Sequence, residues 1–275
     1  MEEKLFMKKN FLFVAALVLT AGSLASCGEV SSIDNTSASA ESTSTVTTVE
    51  GTASAYGLVD GVCVSKTTIV VANSLTTSVT IDETFTPGDW ASINSKEVSG
   101  QDVDVITYSY NAWGTDYNVE MAKFIKIGDK VFTGTLLTEA DANNQWIVYS
   151  NDEIANLFTY ISENAGWYYT QVENDAISIV SDAEGTAFAT PYTLGSITAH
   201  TTNFKADEDN SYWAGWKTNI ASIQTALTGL NLSEKPAVVQ DEETGIFSFG
   251  GVATGSSLTS TETYVDQAVA AWATL

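Results

Sequence analysis

From Tyr56 onward apolar and polar positions alternate, and the period of that alternation changes along the chain. Val62-Cys63-Val64 through Thr68-Ile69-Val70-Val71 reads as a strand, Ala72-Asn73-Ser74-Leu75 as a turn, and Ser78-Val79-Thr80-Ile81-Asp82 as the return strand. Pro87-Gly88-Asp89 ends this unit just before Trp90. Residues 122–127, the pair Gly128-Asp129 and residues 130–136 predict a second hairpin with Gly-Asp at its turn. Ala176-Ile177-Ser178-Ile179-Val180 and residues 245–249 return to strand-like text.

Three segments switch to helical spacing. Ile154, Leu157, Phe158 and Ile161 recur at i, i+3, i+4 and i+7, with Ser150 or Asn151 as the expected cap and Gly166 as the expected stop. Ile220, Ile223, Leu227 and Leu230 form a second stripe, with Gly229 near its end. Tyr264, Val265, Ala268, Val269 and Trp272 form the third, and Thr259 with Glu262 three residues later predicts a capping box at its start. Hairpins mixed with helices, without regular β-α alternation, predict an α+β fold: antiparallel sheet packed against a few helices, including a C-terminal amphipathic one. Residues 56–275 are expected to form this body, as one domain or two subdomains.

Upstream the text is different. Residues 28–55 hold 13 Ser or Thr and no lysine or aromatic residue, so they are expected to be a disordered linker. Before them, Lys8-Lys9 and an apolar run from Phe11 to Leu19 lead into Leu24-Ala25-Ser26-Cys27. Positive charge, a short apolar segment and small residues make residues 1–26 a secretory signal. The run is too short to span a bilayer, which takes about 20 residues. Leu-Ala-Ser-Cys resembles the lipobox of bacterial lipoproteins. The resemblance implies that Cys27 becomes the mature N-terminus, carries palmitate-like acyl chains and anchors the protein on the extracytoplasmic face of the cell envelope.

Charge narrows the partners. The chain has 11 basic and 34 acidic residues, every basic one a lysine. Removing residues 1–26 takes three lysines and two glutamates, leaving 8 against 32, a net charge of −24. Such a surface repels phosphate polymers, so nucleic acid is excluded as a partner. Cys63 lies in strand-like text and reads as a buried thiol, and His200 is the only histidine. Asp207-Glu208-Asp209-Asn210-Ser211 has oxygen ligands at alternate positions but lacks the central glycine of a calcium loop, and reads as a solvated acidic loop.

The C-terminal text runs from a short strand through Gly250-Gly251 and Thr254-Gly255-Ser256-Ser257 to a helix. It resembles the end of the FMN-binding domain of exported electron-transfer flavoproteins, where Ser/Thr-Gly-Ala-Thr/Ser precedes a helix. The resemblance implies that Ser257 is the residue to which a flavin transferase attaches FMN by a phosphoester, beside Thr254, Gly255 and Ser256. Two positions depart from the pattern: Ser256 stands for alanine, and Gly251 for the acidic residue. Trp213 and Trp216, with Trp90, are candidate walls for the flavin ring. On this reading the protein is an anchored electron carrier with a redox partner. On the other, its aromatic residues line a site for a ligand, glycan or protein, and it binds without catalysing.

Overall fold

Asn73 and Ser74 both adopt left-handed backbone angles, φ 51° and 58°, which close a two-residue turn of the hand that suits twisted strands. They join β2 (Cys63–Ala72) to β3 (Leu75–Phe85) in the computed structural model, as the alternation predicts. The structure describes residues 48–93, 101–112, 114–138, 145–193 and 215–275. Cys27, His200, Trp213 and the acidic loop 207–211 lie outside the described residues. Residues Val46–Leu275 belong to one compact unit.

β1 (Gly51–Val59) pairs antiparallel with the other side of β2, giving a sheet of order β1-β2-β3. Residues 51–55, expected in the linker, are therefore strand. Ala53 is buried, and the Ser54 hydroxyl meets that of Thr68 at 2.8 Å. Small and hydroxyl residues disguise this strand because its partners across the ladder supply the bulk.

β4 (Val105–Ala112) and β5 (Thr115–Ala122) form a separate two-stranded ribbon. β6 (Phe124–Ile127) and β7 (Lys130–Thr138) form the second predicted hairpin, with Gly128 at φ 63°. With β8 (Gln145–Ser150), β9 (Ile177–Ile179) and β10 (Tyr192–Thr193) they make an antiparallel sheet of order β10-β9-β6-β7-β8. The last sheet, β11-β12-β13, comprises Val238–Gln240, Phe247–Phe249 and Val252–Ala253.

Five helices accompany these sheets among the described residues: α1 (Pro87–Trp90), α2 (Leu157–Glu163), α3 (Ala165–Glu173), α4 (Trp216–Leu227) and α5 (Thr261–Trp272). The fold is α+β, mostly strand. The stripe from Ile154 to Ile161 is only partly helical. Asn151 accepts the N–H groups of Glu153 and Ile154 in a local turn, and the helix starts later, capped by Asn156 through the Thr159 N–H at 3.2 Å. Gly166 does not stop the helix. It lies within α3, where a Cβ would stand 3.1 Å from the Tyr56 ring.

The capping box at α5 is also corrected. Ser260 occupies the N-cap position, Thr259 is exposed, and Glu262 reaches Lys235 at 2.7 Å instead of turning back to the cap. α5 buries Tyr264, Val265, Ala268, Ala271 and Trp272; each large side chain removed from water contributes about 1.5–3 kcal/mol. Contacts with β1 and β2 account for most of its packing. α4 lies along β3, where Gln224 accepts the Ile81 N–H at 2.9 Å. Near the start of the same strand Thr76 bonds Leu230 and Gly229 through its backbone, at 2.9 and 2.7 Å. This covers part of an edge that would otherwise expose unpaired N–H and C=O groups. Among the described residues no helix is long and apolar enough to cross a membrane.

Candidate functional site

Gly250 and Gly251, at φ 55° and 86°, turn β12 into β13. Gly251 fills the place where the resemblance expects an acid, and its left-handed backbone explains the glycine: a side chain is strained there. From β13 the chain enters a turn in which almost every polar group is used. The Thr254 N–H and hydroxyl both donate to the Phe247 carbonyl, at 2.9 and 2.7 Å. The Ser256 N–H donates back to the Thr254 hydroxyl oxygen at 2.9 Å. Gly255 between them takes φ 84° and faces Ser222 on α4.

Ser256 is wholly buried. Its hydroxyl oxygen accepts the Leu258 N–H at 3.3 Å and meets the Thr261 hydroxyl at 3.2 Å. The Ser257 N–H goes to Asn219 Oδ1 of α4, at 2.6 Å. The N–H groups of residues 256, 257 and 258 are thus all bonded to side-chain oxygens of the chain itself. A phosphate cradle needs such groups directed at the ligand, so this turn does not fit a freely bound FMN phosphate. Of Thr254, Ser256 and Ser257, Ser257 is the exposed one.

Two of the proposed tryptophan walls, Trp216 and Trp90, are in the core rather than on this surface. Trp216 opens α4 and is buried. Trp90 is wholly buried in the core, where its indole N–H donates to the Tyr168 hydroxyl at 2.7 Å and that hydroxyl donates to the Phe85 carbonyl at 2.6 Å. Trp213 is outside the described residues.

A different aromatic cluster is exposed. On the β4–β5 ribbon Tyr110 pairs with Tyr117 and Tyr108 with Val119, so these side chains share one face. The rings stack in order: Tyr108 to Tyr110 at 5.9 Å and 24°, then Tyr110 to Tyr117 at 5.2 Å and 15°. Tyr117 is 39% exposed, whereas Tyr108 and Tyr110 are half-buried. Ile106 roots the same face on the second sheet, where Gly134 lets it close: a Cβ there would lie 3.0 Å from Ile106. Beside it, the Tyr149 hydroxyl donates to the Ala122 carbonyl at 2.5 Å. Burial raises the Tyr108 phenol, with Tyr110 and Asp89 adding to the shift.

The other face of the ribbon is polar. The Ser109 hydroxyl donates to Asn118 at 2.6 Å and the Asn111 amide to Asp116 at 2.7 Å, while the Ser109 N–H reaches Gln145 at 2.9 Å. The ribbon therefore presents a pre-stacked aromatic strip held by a hydrogen-bonded back. Its sequence signal is two tyrosines two residues apart and a third across Gly114.

Compared with protein-family models, curated proteins and solved structures, the chain matches none of them.

Proposed function

We propose that this protein is a lipid-anchored, extracytoplasmic binding protein that engages neutral glycans through the strip Tyr108–Tyr110–Tyr117. The observation that carries the reading is the stack itself: three phenol rings in register, open at the Tyr117 end. Flat aromatic faces suit the C–H faces of sugar rings, and phenol hydroxyls supply hydrogen bonds at the margin. The net charge of −24 left after residues 1–26 are removed, 8 basic against 32 acidic, favours an uncharged polymer over an anionic one. The anchor rests on Cys27 and the signal before it. Cys27→Ala is expected to leave the detergent phase on partitioning; retention there contradicts the anchor. Binding is tested by co-sedimentation with insoluble neutral polysaccharides, comparing the unaltered protein with Tyr110→Ala and Tyr117→Ala.

A second reading is favoured by the exposure of Ser257, whose hydroxyl is open to a transferase. On that reading the protein carries covalent FMN at Ser257 and passes electrons to a redox partner. Covalent attachment does not require the turn's N–H groups. Co-expression with a flavin transferase, followed by peptide mass spectrometry, tests it: an adduct at Ser257 supports the reading and an unmodified peptide removes it.

A further inference from the structure

One face of β7 and β8 looks at the tyrosine strip. Gly134, Leu136 and Thr138 of β7 pair with Tyr149, Ile147 and Gln145 of β8, so these positions share a face. A Cβ on Gly134 would meet Ile106 at 3.0 Å, Tyr149 at 3.1 Å and Ile147 at 3.2 Å. Ile106, Tyr108 and Tyr110 alternate along β4 and lie on one side of the ribbon. The strip and the sheet face are therefore walls of one cleft, closed at Gly134. It opens toward the far end, where Tyr117 is 39% and Leu136 36% exposed.

Gln145 stands at the margin of this cleft. Its Oε1 accepts the Ser109 N–H at 2.9 Å. A backbone N–H can only donate, so that bond fixes which end of the carboxamide is the oxygen. Nε2 is left with its donors unpartnered among the described residues. The hydroxyls of Tyr108, Tyr110 and Tyr117 are also unpartnered among the described residues, and none of these groups is sealed from water. The core phenols differ, since those of Tyr149 and Tyr168 donate to backbone carbonyls at 2.5 and 2.6 Å. A ligand entering the cleft meets polar groups that need break no bond within the protein.

We propose that the cleft selects neutral glycans built from N-acetylated amino sugars. The inference rests on the glycan reading of the strip and names the sugar it takes. The C–H face of the sugar ring lies on Tyr117. The acetamido carbonyl accepts from Gln145 Nε2, and the acetamido methyl covers Leu136 and Ile147, the apolar pair beside Gln145 on the same sheet face. A hydroxyl in place of the acetamido group leaves that pair exposed to water. Acetylation also removes the charge of the sugar amine, so the ligand stays neutral. A fixed donor beside an apolar wall is a small set of convergent groups that orients one substituent.

The test is co-sedimentation of the full chain with two insoluble neutral polymers that differ at this substituent, chitin with its acetamido groups and cellulose with hydroxyls only. The unaltered protein is expected to bind chitin about tenfold more tightly. The N-acetylated disaccharide of chitin is expected to release it from chitin, and cellobiose at the same concentration is not. Gln145→Glu keeps an oxygen for the Ser109 N–H but turns the free donor into an acceptor. It is expected to lose the preference for chitin while binding cellulose as before. Equal binding of the unaltered protein to both polymers, or binding to other neutral polysaccharides only, overturns this inference and leaves the glycan reading standing. Binding to no neutral polysaccharide removes both. A preference for chitin that survives in Gln145→Glu overturns the assignment to Gln145 and the proposal with it.

Discussion

Asn219 Oδ1 accepts the Ser257 N–H at 2.6 Å, while Asn219 Nδ2 donates to the Gly215 carbonyl at 2.7 Å. The first turn of α4 thereby holds the turn that leads into α5. The same carboxamide satisfies one group on each side, so its orientation is fixed by both partners.

Asn219→Ala removes this link, and its expected cost is about 1 kcal/mol, as for a partly exposed hydrogen bond. Ser257→Ala leaves the backbone bond in place and is expected to change stability by less than about 0.5 kcal/mol. Urea denaturation of the two variants measures the difference. Equal effects contradict the assignment of the contact to the Ser257 backbone.

Restoring the flavoprotein-like letters is expected to harm the turn. Ser256→Ala deletes the buried hydroxyl that accepts the Leu258 N–H, a loss of about 1–3 kcal/mol. Gly251→Asp places a side chain at φ 86°, which costs about 1 kcal/mol or more. Thr259→Ala, by contrast, is expected to stay within about 0.5 kcal/mol, because Thr259 is exposed and makes no cap. Thermal melts of the three variants order them directly.

Alkaline pH is expected to unfold the body. Burial raises the phenols of Tyr149, Tyr168 and Tyr169, and raises Tyr264 as well, with Glu83 adding to it. In the unfolded chain tyrosine ionises near pH 10. Below that value both states keep their protons, and the stability from these groups is fully present. As pH rises above it only the unfolded state releases protons, so stability falls by up to about 1.4 kcal/mol per pH unit for each tyrosine. Denaturation midpoints between pH 8 and pH 11 measure this; a flat profile contradicts the burial of these phenols.

The two hairpins were legible because Asn73-Ser74 and Gly128-Asp129 punctuate clean alternation. α4 and α5 were legible from their apolar stripes. The boundary between α2 and α3 was not, because the expected cap Asn151 closes a local turn while Asn156 caps α2. Gly166 reads as a stop only when the Tyr56 ring beside it is unseen. The start of β1 was hidden by its small residues.

Site chemistry was less legible still. Ser65 and Thr67 are polar letters that strand alternation does not single out, yet both are buried beneath α5. Trp90 and Trp216 read as ligand walls, yet they belong to the core. Singly placed tryptophans bury a large area and are drawn inward. The tyrosine strip was written in period two around Gly114, but its exposure depends on how β4 and β5 dock on the second sheet.

The tyrosine strip carries the functional account, and one binding measurement tests it most directly. The fraction of protein that sediments with an insoluble neutral polysaccharide is compared for the unaltered chain, Tyr117→Ala and the double variant Tyr110→Ala/Tyr117→Ala. Ring stacking contributes about 0.5–1.5 kcal/mol per aromatic pair, so the double variant is expected to lose about tenfold or more in affinity, with its melting curve still cooperative. Equal sedimentation of all three proteins, or none by the unaltered chain across the neutral polysaccharides, contradicts the account.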